Sequence, residues 1–272
     1  MQKYSVLMAV YIKDNPDYFA MALDSMINQT YPADEIVIIK DGPITQELQA
    51  VIDERKKGSI EIQEVALAKN QGRGHARNAG VNACRNELIA IMDSDDYSLP
   101  ERCALEVAEF EKNPELDIVG GQLVEFDGDI QNVVAKRYVP LEQQEIYKYA
   151  KFRDPFNNVT VMFRKTAVQR AGGYSSHRMN EDTDLWMRML NQNVNCVNLK
   201  DVVLFVRFDR KTYQRRKSWE NTKTLIEIRY NAWKSGFNSL LEFLFLAVAQ
   251  MGIFVMPEWF VKWSYGVFLR GK

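Results

Sequence analysis

A chain of 272 residues is long enough to bury a full α/β core without cross-links. Its 35 Lys+Arg against 36 Asp+Glu leave a net charge of -1, so it has no global positive field with which to bind nucleic acid by counterion release, and no nucleic-acid partner is expected. Two histidines, His75 and His177, exclude a His-rich metal site; the scattered Cys84, Cys103 and Cys196 make neither a CxxC pair nor a disulfide framework, so a reducing cytoplasmic setting is expected.

The opening Met1-Gln2-Lys3-Tyr4 lacks the apolar h-region and cleavage site of a signal peptide and runs straight into a short apolar strand over 5–11. After Asp14-Asn15-Pro16, apolar Tyr18, Phe19, Met21, Ala22, Met26 and Ile27 recur at helical spacing. The β-branched run over 35–39 predicts a parallel strand covered on both faces. A polar helix over 46–57, a strand over 60–66, a helix from about Gly74 and a strand over Leu88–Met92 continue the alternation. Such a βα series predicts a Rossmann-like, mostly parallel sheet flanked by helices, with its ligand outside the carboxyl ends of the strands. Asp41 and Asp93 stand at two of those ends.

From about Leu123 the alternation loosens into polar loops and less regular strands, including one expected over 159–163, and this half is expected to build the other wall of a cleft. A basic stretch, Arg210, Lys211, Arg215, Arg216 and Lys217, precedes helix-like sequence from Trp219. The apolar run over 240–260 is interrupted by Glu242, Gln250, Pro257 and Glu258, which leaves it short of a spanning helix. Its aromatics beside Lys262, Arg270 and Lys272 suit a helix at a lipid interface, while a core or homodimer helix fits the same residues.

Three stretches carry chemistry. Asp93-Ser94-Asp95-Asp96 directly follows an apolar strand, and clustered carboxylate oxygens suit Mg²⁺ or Mn²⁺ shared with substrate phosphates. The loop over 70–80 joins Gly72, Gly74 and Gly80 to Arg73 and Arg77 at a helix start, where backbone N–H groups and a guanidinium favour an anion. It is not a dinucleotide fingerprint, because Arg77 takes the third glycine's place. Glu181-Asp182-Thr183-Asp184 opens an amphipathic helix whose buried face is Leu185, Trp186, Met189 and Leu190; the helix dipole accounts for one such acid, and an adjacent Glu-Asp pair facing a cleft also suits a general base.

Together, residues 5–11, 35–42, 72–80, 93–96 and Glu181-Asp182 followed by Leu185-Trp186-Met187-Arg188 resemble the family 2 glycosyltransferases of the GT-A fold, over roughly the first 190 residues. Residues 4–13 and Lys40-Asp41-Gly42-Pro43 are similar to bacterial enzymes of capsule, exopolysaccharide and O-antigen assembly. The resemblance implies a catalytic domain over 1–215, with a nucleotide-sugar half (1–100) and an acceptor half (101–215), followed by a helical apolar region over 216–272. It implies that Ala9, Val10, Tyr11 and Asp41 hold the base of a UDP-sugar, that Arg77 lies beside the nucleotide, and that Asp93, Ser94 and Asp95 meet ribose, diphosphate and metal. Asp182 matches the catalytic base, with Glu181 its neighbour. Trp186 and Asp184 are expected toward the acceptor, and Arg215 and Arg216 in a basic loop closing over the diphosphate.

The chain departs from the family where Lys40 replaces the first of two acids before Gly42, and where Gln214-Arg215-Arg216-Lys217-Ser218-Trp219 fails to match the processive Gln-x-x-Arg-Trp motif, which favours single addition. The implied reaction is inverting transfer of a hexose or N-acetylhexosamine to a sugar acceptor, carried on lipid, at the inner face of the cytoplasmic membrane. A sugar nucleotidyltransferase also pairs aspartates with Mg²⁺, and a non-catalytic membrane scaffold would use the C-terminal helix; both stand as rivals.

Overall fold

In the computed structural model, residues 2–208 and 218–256 are described. Strand β1 (Tyr4–Val10) has its side chains almost wholly buried, as a strand covered on both faces requires. Helix α1 (Pro16–Ile27) starts where the Asn15 side chain accepts from the N–H groups of Asp17 and Tyr18 and Pro16 fills the first turn, where its missing N–H costs nothing. Then follow β2 (Glu35–Lys40), α2 (Gln46–Arg55), β3 (Ile62–Ala66), α3 (Arg73–Ala83) and β4 (Leu88–Met92), in the order the alternation predicts.

The chain continues through β5 (Tyr97–Ser98), α4 (Arg102–Lys112), β6 (Ile118–Phe126), β7 (Val133–Arg137), α5 (Gln143–Ala150), β8 (Met162–Arg164), α6 (Lys165–Arg170), α7 (Glu181–Asn191) and β9 (Cys196–Arg207). The sheet runs β3-β2-β1-β4-β8-β6-β9-β5, with β7 paired to β6. Its first four strands are parallel, in registers such as Met8 opposite Met92 and Val10 opposite Lys40, so the loops after β1, β2 and β4 leave one edge together. Beyond β4 the pairing becomes mixed: β8 runs antiparallel to β4 and β6, while β6 and β9 are parallel. The mostly parallel sheet that the alternation predicts thus has its unbroken parallel run in the first half.

Alternation along β1 sorts the core into two layers. Val6, Met8 and Val10 pack with Phe19, Leu23 and Met26 of α1 and Val107 and Phe110 of α4. Leu7 faces the other way, into the layer with Ala76 of α3 and Leu185, Trp186 and Met189 of α7. The strand expected over 159–163 is divided: Asn158–Thr160 form a 3₁₀ turn and only Met162–Arg164 are strand. The Thr160 hydroxyl explains this, since it takes the N–H of Gly121 at 2.9 Å and reaches its carbonyl at 3.1 Å, competing with a backbone ladder.

Helices α8 (Trp219–Lys234) and α9 (Leu240–Val255) close the described chain. Buried Arg229 of α8 donates to the carbonyls of Ala150 and Lys151, and Asn221 of α8 accepts from the Asn180 side chain at 3.0 Å. Ser239 and Glu242 form a capping box on α9, and Lys151 pairs with Glu242 at 3.1 Å. The outward face of α9 exposes Leu241, Leu244, Phe245, Val248 and Val255. No helix of the described residues is long and apolar enough to cross a membrane.

Gly74 marks where α3 meets the segment leading to α7: a Cβ there would lie 2.0 Å from the Ser175 carbonyl oxygen. Gly74→Ala is therefore expected to push these segments apart, lowering the melting temperature by several degrees and suppressing activity; thermal unfolding followed by circular dichroism checks the first.

Candidate active site

The loop after β2 and the loop into α3 are joined first. Asp41 takes the N–H of Gln71 at 2.7 Å and of Gly72 at 3.0 Å on its two oxygens, and its own N–H donates to Val10 at the end of β1. Gly42, at φ +87°, permits this close approach, because a Cβ would meet Asn70 N at 2.6 Å. The base-site candidates Ala9, Val10, Tyr11 and Asp41 thus share one edge with the glycine loop, and Tyr11 remains exposed. Asp41's first duty is to hold Gln71 and Gly72 against β1.

From that loop α3 carries Arg77 inward until it is 5% exposed. One guanidinium nitrogen donates to Glu181 at 2.7 Å, 104 positions further along the chain, and the other to Asp93 at 2.9 Å. Its plane lies over the Tyr174 ring, 5.6 Å from the centroid. Burial works against the charge on Arg77, but Asp93 and Glu181 more than offset it and raise its pKa. The turn after β4 and the start of α7, distant in sequence, are thereby fixed to one cation.

On α7, Glu181 is buried and Asp182 half-buried, accepting from the N–H of Thr183. Burial, aided by the charges of Glu181 and Asp154, pushes the Asp182 carboxyl up to about 6. The segment before the helix is clamped: Asn78 donates to the Tyr174 carbonyl and accepts its N–H, both at 2.7 Å, and Arg188 reaches the carbonyls of Ala171 and Gly173. Burial raises the Tyr174 phenol well above its ordinary value, so it stays protonated, and its hydroxyl has no partner among the described residues.

Within the turn after β4 the acids diverge. Asp95 is exposed, and partial enclosure of its carboxyl together with Asp93 alongside raises its pKa. Asp96 points inward, accepting from the Arg207 N–H at 2.9 Å, and burial raises it strongly. Ser94 donates to Asp14 at 2.8 Å. Asp14, which in the sequence marks only the approach to α1, is pushed up to about 6 by burial, with Asp95 and Asp93 adding to the rise. Arg73, named with Arg77 in the glycine loop, is exposed within the field of Asp93, Glu181 and Asp182, and its guanidinium forms no hydrogen bond among the described residues. No periodicity announces either residue, because both act through tertiary neighbours.

Hard oxygen donors suit a divalent cation here. Arg77 occupies only one oxygen of Asp93, and Asp95 is open to solvent. Among the described residues no cluster of three or more His, Cys, Asp or Glu could hold a metal by itself, so the fit is to an ion taking its other ligands from phosphate and water, as Mg²⁺ and Mn²⁺ do.

Two expected residues lie elsewhere. Trp186 is 1% exposed and sits in the core, 5.5 Å from the Phe156 ring, because it shares the apolar stripe of α7. Asp184 is buried against Arg188 at 2.7 Å, one helical turn on, so both side chains are taken up inside the fold. Arg215, Arg216, Lys211 and the tail beyond Met256 lie outside the described residues.

A half-parallel sheet whose strand ends gather acids around a buried arginine has the GT-A layout. The chain belongs to glycosyl transferase family 2, whose model matches residues 5–177. Over 268 residues it is 35% identical to an uncharacterized glycosyltransferase of Haemophilus influenzae, covering 98% of this chain and 99% of that protein. It is 32% identical over 268 residues to the UDP-Gal:alpha-D-GlcNAc-diphosphoundecaprenol beta-1,3-galactosyltransferase of Escherichia coli, covering 98% and 97%. The fold resembles S. aureus TarS in complex with UDP-GlcNAc, at TM-score 0.66 and 19% identity over 97% of this chain and 73% of that one. It also resembles a mannosyltransferase of Pyrobaculum calidifontis in complex with GDP-Man and Mn²⁺, at TM-score 0.64 and 14% identity over 98% and 80%. Family membership sets aside the nucleotidyltransferase and scaffold readings.

A carboxyl whose pKa rises from 3.8 to about 6 on folding binds its proton more tightly in the native state, so stability falls as pH climbs through that window. Asp182→Asn is therefore expected to unfold at a higher temperature than the native protein at pH 7.5, with the advantage disappearing below pH ~4, where the carboxyl is neutral in both states; differential scanning calorimetry across pH checks this. Arg77→Met, which leaves Asp93 and Glu181 without their cation, should destabilise by about 3–5 kcal/mol in urea unfolding.

Proposed function

We propose that this family 2 glycosyltransferase moves a hexose or N-acetylhexosamine from a UDP-sugar to a sugar acceptor carried on a lipid diphosphate, with inversion and with a divalent cation, in bacterial surface polysaccharide synthesis. The observation that carries the proposal is the double ion pair of Arg77, which brings the Asp93 turn and the Glu181-Asp182 helix start to one locus. The names of the E. coli galactosyltransferase relative and of an amylovoran biosynthesis glycosyltransferase of Erwinia amylovora, 35% identical over 225 residues, support the substrate class.

In this reading Ala9, Val10, Tyr11 and Asp41 hold uracil, with Asp41 also bracing the loop beneath it. Asp93 and Ser94 face ribose and diphosphate, and Arg77 sets the field behind them. Asp95 and Asp93 would hold Mg²⁺ or Mn²⁺, which when bound supplies positive charge against the departing diphosphate. Asp182 takes the proton of the acceptor hydroxyl as that oxygen attacks the anomeric carbon from the face opposite the diphosphate. Its placement matters more than its basicity, since the hydroxyl becomes acidic only as the new bond forms. Glu181, held by Arg77, orients the turn that presents Asp182.

Residues 1–215 would act as the catalytic domain, 1–100 binding donor and 101–215 acceptor, with the helices after 216 holding the enzyme at the cytoplasmic membrane face through the exposed stripe of α9. The same stripe would serve a homodimer, and flotation with anionic liposomes separates the two, because a dimer interface would leave the protein unbound.

Asp95→Ala should reduce Mn²⁺-dependent transfer at least about 100-fold with an unchanged melting temperature, and Asp182→Asn should lower kcat by a similar factor while leaving UDP affinity intact. A nucleotide-sugar panel read for UDP release, with the product's anomeric configuration assigned by NMR, tests donor and stereochemistry together; retention of configuration would refute the single displacement.

A further inference from the structure

The turn that follows β1 is bound to the turn that follows β4 through a single oxygen. Asp14 N–H donates to the Tyr11 carbonyl at 3.0 Å, and Asp14 Oδ2 accepts the Tyr11 N–H at 3.1 Å, so Tyr11 is held at both of its backbone groups. The same Oδ2 accepts the Ser94 hydroxyl at 2.8 Å. Strands β1 and β4 are direct parallel neighbours, and these bonds extend their pairing into the loops beyond the last ladder pair, Met8 with Met92. The carboxyl is half-buried, and the charges of Asp95 and Asp93 act on it. A negative charge placed beside two others in partial burial is unfavourable for stability, which marks Asp14 as a residue whose contacts offset a real cost.

We propose that Asp14 is a positioning residue for the donor: its one oxygen sets the separation between the Tyr11 backbone, on the base side of the nucleotide, and Ser94, at the centre of the diphosphate turn. This rests on the reading of the site as a nucleotide-sugar site. Asp14 Oδ2 is spent on Tyr11 and Ser94, so its effect falls on donor binding and not on the displacement. Because both bonds end on Oδ2, an asparagine can replace the aspartate: its single amide oxygen accepts from Tyr11 and Ser94, and its NH₂ takes the other place, beside the acids. Alanine can do neither.

The test uses the full-length protein, with a panel of nucleoside diphosphates in Mn²⁺ titrated by calorimetry and nucleotide-sugar kinetics read in parallel. Asp14→Ala should weaken nucleotide binding and raise the donor KM about tenfold with kcat changed less than about threefold, as expected for loss of two hydrogen bonds that act before the chemical step. Asp14→Asn should return both to within about twofold of the native values, a rescue that a purely charge-based role would not give. Ser94→Ala should weaken binding in the native background and add little in the Asp14→Ala background, since one contact is then removed twice. Native-like affinity in a folded Asp14→Ala protein, or Asp14→Asn as impaired as Asp14→Ala, would overturn the clamp and leave the functional reading standing. Failure of the native protein to bind every nucleoside diphosphate would overturn both.

Discussion

A buried guanidinium is stable only where its hydrogen-bonding fork is filled, and in this protein the requirement joins two halves of the fold. Arg77 reaches Asp93 on one side and Glu181 on the other while its face rests on Tyr174. Remove it and two carboxylates would repel across the gap they now share; keep it and they must stay. Much nearby structure keeps this cation in place. Gly74 lets α3 approach the segment after Tyr174, Asn78 holds the Tyr174 backbone by both its N–H and its carbonyl, and Arg188 fixes the turn just before it.

Acids accumulate around that cation in unequal circumstances. Asp96 is committed to the backbone of β9 and Asp184 to Arg188, so neither is available to a ligand. Asp95 is open to solvent, Asp93 keeps one oxygen unclaimed by Arg77, and Asp182 stands half-buried at the head of α7. Residue type is thus a poor guide to role within this group. What separates these acids is how much of each carboxylate the fold has already claimed: one oxygen of Asp93 goes to Arg77 and one of Asp182 to the Thr183 N–H, while Asp96 and Asp184 are buried against their partners.

The parallel half of the sheet is legible from sequence because β1, β2 and β4 are apolar runs and α1 has a periodic apolar face, signals that are local. The aspartates after β2 and β4 follow from those strands, and the acidic start of α7 from its own amphipathic pattern. The mixed half is not legible in this way: β6 pairs in parallel with β9 through contacts spanning about eighty residues, as between Ile118 and Cys196, and no local signal encodes that. Thr160 delays the start of β8 by means of a hydroxyl whose partner is on β6, and Asp14 works through Ser94, far along the chain. The amphipathic pattern of α7 puts Trp186 on the buried face, and its ring packs there against Phe156 and Phe163, which leaves it inside the core and not beside an acceptor.

Asn180, at φ +59° with its side chain held by Asn221, reverses the chain immediately before the first turn of α7. Because successive residues of an α-helix are about 100° apart around its axis, the origin of the helix decides which side chains face which way. The left-handed residue fixes that origin. A single insertion between Asn180 and Asp182 would rotate the acid out of phase with its surroundings even if every other atom stayed folded, and the length of this segment is therefore under tighter restraint than its composition.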